Sequence, residues 1–64
     1  MNRIESQSNL YTDMVVSHLR SQIVAMHNVL ETIERTHNYE DDYIAESIKT
    51  VETELRRLRK YIEA

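Results

Sequence analysis

The chain has no cysteine, no glycine, no proline, no tryptophan and no phenylalanine. Each absence removes a class of structure. Without cysteine there is neither a disulfide framework nor a thiolate metal site. Without glycine or proline, only Asn and Asp remain to supply the unusual backbone angles of the tight turns that join strands. Val, Ile and Thr are present but fall at helical spacing, so the expected fold class is all-α. Long apolar runs are missing too. The longest, "IVAM", is four residues, against the ~20 that a membrane-spanning helix needs. The N-terminal stretch "MNRIESQSNLYTDM" lacks the continuous apolar core of a secretory signal. A cytoplasmic protein without a membrane span is the expectation. A length of 64 residues predicts a single domain, 1–64. The formal charge of −3 argues against wholesale nucleic-acid binding, which goes with a basic domain.

What is present is heptad spacing, twice. Apolar residues recur at Val16, Leu19, Ile23, Met26, Leu30 and Ile33, with steps of 3, 4, 3, 4 and 3. They recur again at Ile44, Ile48, Val51, Leu55, Leu58 and Ile62, with steps of 4, 3, 4, 3 and 4. Both are seams of the kind that helical bundles bury. The two registers do not join. Leu30 and Ile48 each hold the first core position of their heptad, yet they lie 18 residues apart. A continuous helix would need a stutter between them.

The stretch "ERTHNYEDDY", Glu34 to Tyr43, holds no aliphatic residue and is rich in mediocre helix formers. It reads as a turn. Helix 1 is expected over about 8–36 and helix 2 over about 40–63. Asn38 is the expected left-handed terminator of helix 1, or else the cap of helix 2 with Asp41 reaching back. Residues 1–7 are expected to be frayed or to extend helix 1, with Asn2 and Glu5 as a capping box. The hairpin predicts the layers Ile33–Ile44, Leu30–Ile48, Met26–Val51, Ile23–Leu55, Leu19–Leu58 and Val16–Ile62.

Two helices alone bury each of these side chains only in part. Chains this small need a staple, and oligomerisation is the one that remains. The apolar stripe of helix 1 is wider than a single partner requires. Tyr11, Val15 and Val29 flank its seam, and Val24 and Ala25 extend it. The expected product is a homodimer that forms an antiparallel four-helix bundle. Charge placement bears on the geometry. Residues 34–54 carry seven acids and two bases, a net −5, whereas residues 55–64 carry a net +3. An antiparallel dimer sets each basic end beside the other copy's acidic turn.

Candidate chemistry is sparse. His18, His27 and His37 are nine and ten residues apart, whereas a helical metal pair needs three or four. Ser17 and His18 are adjacent, so they do not face each other on a helix. There is no Gly-rich phosphate loop. A non-enzyme without metal or cofactor is the expectation. His18 is expected to project outward, and His27 to face Glu52. Arg20 and Arg59 are expected to flank the Leu19–Leu58 layer, where they call for an acid or an anion. Arg56, Arg57 and Lys60, with Arg59 and Arg20 nearby, form a basic face suited to phosphate or to the acidic turns. Tyr39 and Tyr43 bracket the turn, as interface anchors or as packing over the bundle end.

The segment "SNLYTDMVVSHLRSQIVAMHNVLETIE" resembles the first helix of the dimerisation hairpin of sensor histidine kinases, whose motif reads Ser-His-Glu-Leu-Arg-Thr-Pro-Leu. Matching Leu19-Arg20 to its Leu-Arg brings Tyr11, Val15, Leu19 and Ile23 onto that family's core positions. Ser17 then falls at the phospho-acceptor position, His18 at the acid that follows it, and Gln22 at the proline. This resemblance implies a phosphorelay-type or kinase-mimicking hairpin around His18. In size and architecture the chain is also similar to small plasmid copy-number proteins, which form antiparallel dimers and bind RNA loops. It is similar, too, to the small hairpin co-chaperones of type III secretion needle subunits. The leading expectation is a regulatory, adaptor or chaperone-like protein that acts through helix-mediated protein–protein contact. An RNA- or DNA-binding bundle using the Arg56–Lys60 face stands as the alternative.

Overall fold

A computed structural model describes residues 5–64, with side chains described from Leu10 onward. The chain is all-helical. Helix α1 spans Glu5–Thr36, helix α2 spans Asp42–Glu63, and the two pack against each other as a hairpin. Their 32 and 22 residues correspond to lengths of about 48 and 33 Å. The molecule measures 48 × 25 × 11 Å. The shortest dimension is that of a single helix layer, so both broad faces of the hairpin lie open. Among the described residues, no helix is long and apolar enough to cross a membrane. Helix α1 begins three residues before the expected Ser8. The Asn2 half of the expected capping box lies outside the described residues.

The turn uses other residues than the sequence suggests. His37, not Asn38, takes the left-handed conformation, with φ 57°. Its amide donates to the Ile33 carbonyl at 2.7 Å, a bond that satisfies one of the last carbonyls of α1. Asn38 serves the next step. Its side-chain oxygen accepts the Glu40 amide at 2.9 Å, an Asx turn that reverses the chain. Helix α2 is capped by Asp41, in extended conformation, whose carboxylate accepts the Tyr43 amide at 2.8 Å. Glu40 therefore lies in the turn, and only Asp42 of the acids there falls in the first turn of α2. The helix dipole favours it at that place.

The seam between the helices also differs from the expected layers. The buried residues are Val29, Ile44, Val51 and Leu58, 3–6 % exposed. Around them Val15, His18, Gln22, Ala25, Met26, Thr32 and Ile33 of α1 are half-buried, as are Ser47 and Glu54 of α2. On α1 the contact column is thus Val15, His18, Gln22, Ala25, Val29 and Thr32. It has the same 3–4 spacing as the predicted seam, but starts one residue earlier. On α2, Ile44, Val51 and Leu58 sit where expected, but Ser47 and Glu54 complete the column rather than Ile48 and Leu55. The vertical register shifts too. Gln22 and Ala25 share a groove with Ser47 and Val51, and His18 reaches Glu54. The expected layers set Met26 beside Val51 and Leu19 beside Leu58, so α2 meets α1 about one helical turn nearer its N-terminus.

Candidate interaction face

The residues displaced from the seam form a face. Val16, Leu19, Ile23 and Leu30 of α1, with Ile48, Leu55 and Ile62 of α2, are 40–67 % exposed. Six of the seven follow a seam position by one residue, and Ile62 lies one heptad after Leu55: Val16 follows Val15, Leu19 follows His18, Ile23 follows Gln22, and Leu30 follows Val29. On α2, Ile48 follows Ser47 and Leu55 follows Glu54. One residue is a rotation of about 100° about the helix axis. In an antiparallel pair, the same rotation on both helices leads to the same side. The seven aliphatic side chains therefore share one broad face of the hairpin, with Met26 and Ile33 half-buried at its inner edge.

The opposite broad face is mostly polar, with Met14, Val24 and Tyr43 exposed on it. It carries residues that precede seam positions, such as Met14, Ser21, Asn28, Glu46, Thr50 and Arg57. Its shallow grooves are lined by Met14, Ser17, His18, Ser21 and Gln22 in one place, and by Asn28, Glu31, Thr32, Glu34, Arg35 and Tyr43 in another. Tyr43 leans across the inter-helix cleft on this side, lining two of the grooves. Tyr39 stands in the turn, 71 % exposed. Thr32 and Thr36 turn their hydroxyls onto the carbonyls one turn back, at 2.9 and 2.7 Å. That keeps these hydroxyls occupied within α1.

Several charged groups lie elsewhere than the sequence suggested. His18 does not project outward. It sits half-buried at the seam, its Nε2 3.2 Å from Glu54 Oε1. The seam shift causes this, because it rotates position 18 from the outer surface to the contact column. His27 does not face Glu52; it pairs with Glu31 on its own helix at 3.1 Å. Arg59 turns to Glu63, one turn on, at 3.2 Å. Arg57 pairs with Glu54 at 3.0 Å, so that one carboxylate serves both His18 and Arg57. Two of the four basic side chains of the "RRLRK" segment are therefore engaged within α2. Arg20, Arg56 and Lys60 make no ion pair among the described residues, and all three are exposed. No three His, Asp or Glu side chains among the described residues come together as a metal-binding group.

The sequence signal that would have found His18, Gln22 and Thr32 at the seam was present. Positions 15, 18, 22, 25, 29 and 32 keep heptad spacing as well as the more apolar column beside them does.

No protein-family model, curated protein or solved structure matches the chain.

Proposed function

We propose that this chain is a non-catalytic interaction module, a small regulator, adaptor or chaperone-like protein, whose working surface is the uncovered apolar face. Its first partner is a second copy of itself, and the two hairpins close a four-helix bundle. The observation that carries this reading is the one-sidedness of the exposed apolar residues. Seven aliphatic side chains stand on one broad face, whereas on the other the exposed apolar residues, Met14, Val24 and Tyr43, are fewer and set among polar ones.

Their exposed surface comes to roughly 600 Å², at the upper end of what a monomer shows as its largest patch. Two such faces together reach about 1,200 Å², the lower limit of a stable, specific interface. The heptad pattern supports the same arrangement. A bundle helix points its most apolar column at the bundle axis and offers a flanking column to its neighbour. Here the flanking column meets the neighbour within the hairpin, and the most apolar column is left for the axis. In a bundle of this kind the outward broad faces, with Tyr43, remain free for a further protein. A phosphoryl-accepting role for His18 finds less support, since its ring is engaged with Glu54.

Sedimentation equilibrium tests the reading. The native chain is expected to be dimeric at micromolar concentration. The Ile23→Asp/Leu55→Asp variant is expected to dissociate with a Kd raised more than about 100-fold, since each carboxylate would be desolvated in the bundle core. A native chain that stays monomeric and fully helical at high micromolar concentration overturns the proposal.

A further inference from the structure

We infer that the second copy docks on the apolar face in antiparallel order, with each turn lying over the open end of the other hairpin. This rests on the self-association proposed above and adds its direction. A face-to-face pair with two-fold symmetry has two arrangements. In one, both turns lie at the same end of the bundle. In the other, the two-fold axis crosses the long axis and each turn meets the partner's helix ends.

The charges that border the face distinguish the two. On α1, the outer side of the apolar column carries Asp13 toward the open end, Arg20 at the middle of the helix, and His27 and Glu34 toward the turn. On α2, the outer flank carries Lys49 and Glu52 in the first half, then Arg56 and Arg59, with Glu63 paired to Arg59 at the open end. Beyond the face, the turn adds Glu40, Asp41 and Asp42. The turn end of the hairpin is thus acidic on balance, and the last part of α2 is basic on balance. Arg20 and Arg56 have no acidic partner within the hairpin among the described residues. Antiparallel docking lays α2 against the partner's α2 in the reverse direction, which brings Arg56 and Arg59 of each copy toward the acidic turn, Asp41 and Asp42, of the other. Parallel docking gathers the arginines of both copies at one end and the acids of both at the other. Rim charges of this kind set orientation more than affinity.

The chain has no native cysteine, so one introduced thiol reports a single position. Tyr39→Cys, spin-labelled in the turn, reads the order by dipolar spectroscopy. Antiparallel docking places the two labels about 30–45 Å apart, the length of the helices between them. Parallel docking places them within about 20 Å, the scale of one inter-helix spacing plus the labels. A long distance that survives dilution with unlabelled chain only as reduced modulation depth supports the inference. A short distance overturns the order while leaving self-association intact. The absence of dipolar modulation, with a monomeric sedimentation profile, overturns both. A second arm uses Arg56→Glu/Arg59→Glu. The expected result is a dimer Kd raised about 10-fold at low salt, with the difference shrinking as salt rises. No change at low salt removes the electrostatic basis of the inference.

Discussion

Two neighbouring columns on the same helix behave in opposite ways. The column Val15, His18, Gln22, Ala25, Val29 and Thr32 is the one that α2 covers, yet half of it is polar. The column beside it, Val16, Leu19, Ile23 and Leu30, is wholly aliphatic and stands 40–67 % exposed. A lone hairpin optimised for its own stability would turn the stronger column inward. Burying it would remove more apolar surface from water, at about 25 cal/mol per Å². This hairpin presents the stronger column to one side instead, and α2 does the same with Ile48, Leu55 and Ile62. The difference distinguishes two jobs that a heptad pattern merges. One column joins two helices within a chain, and the other is held for an axis that two chains share.

The largest effect expected is from cutting into the covered column. Leu58 is 6 % exposed, and Leu58→Ala should destabilise the fold by about 2–4 kcal/mol. Urea denaturation should show that loss at every protein concentration. Ile23→Ala, from the uncovered column, should behave differently. Its cost should appear at concentrations where copies associate and vanish on dilution, since stability gained from association depends on concentration. Equal, concentration-independent losses for both variants would break the distinction between the columns.

A smaller effect sharpens it. Gln22 is a half-buried amide in the contact column, between the His18–Glu54 contact and Ala25. Gln22→Leu removes a polar group from that column and adds apolar surface, so it should raise the thermal midpoint, by about 1 kcal/mol of added stability. It should also blur the difference between the columns. Cross-linking or dipolar distances that become heterogeneous in this variant would show that the polar seam fixes which column faces inward. A buried polar group fixes register in other helical assemblies at some cost in stability.

Much of this molecule was legible in its sequence, and the boundary of legibility is physical. Two helices and the break between them follow from periodicity and from the mismatch between Leu30 and Ile48. Heptad spacing identifies the most apolar column, but it does not say which neighbour that column faces. The hairpin seam therefore lies one residue before Val16, Leu19 and Ile23, at Val15, His18 and Gln22. His18 lies at the seam rather than outward for the same reason. The register error of one turn has a related origin. Apolar layers such as Met26–Val51 satisfy the pattern equally well when α2 slides by a heptad step. The turn failed differently. Asn38 has the side chain most often found in left-handed conformation, but that same side chain was needed one step later to accept the Glu40 amide. His37 was left to take the positive φ.

That substitution of roles gives the smallest prediction, and a control for the others. A non-glycine residue in left-handed conformation pays roughly 1 kcal/mol in sterics between its Cβ and the following carbonyl. Histidine is among the residues that tolerate it best, so the recoverable part is smaller. His37→Gly should therefore stabilise the hairpin by about 0.5 kcal/mol, net of the greater freedom glycine gives the unfolded chain. The turn lies beyond both columns, so this gain should leave the dimer Kd unchanged while raising the unfolding midpoint. A measured change in Kd would mean that the turn geometry sets how the apolar face is presented. In that case the two columns would be coupled through His37 rather than independent.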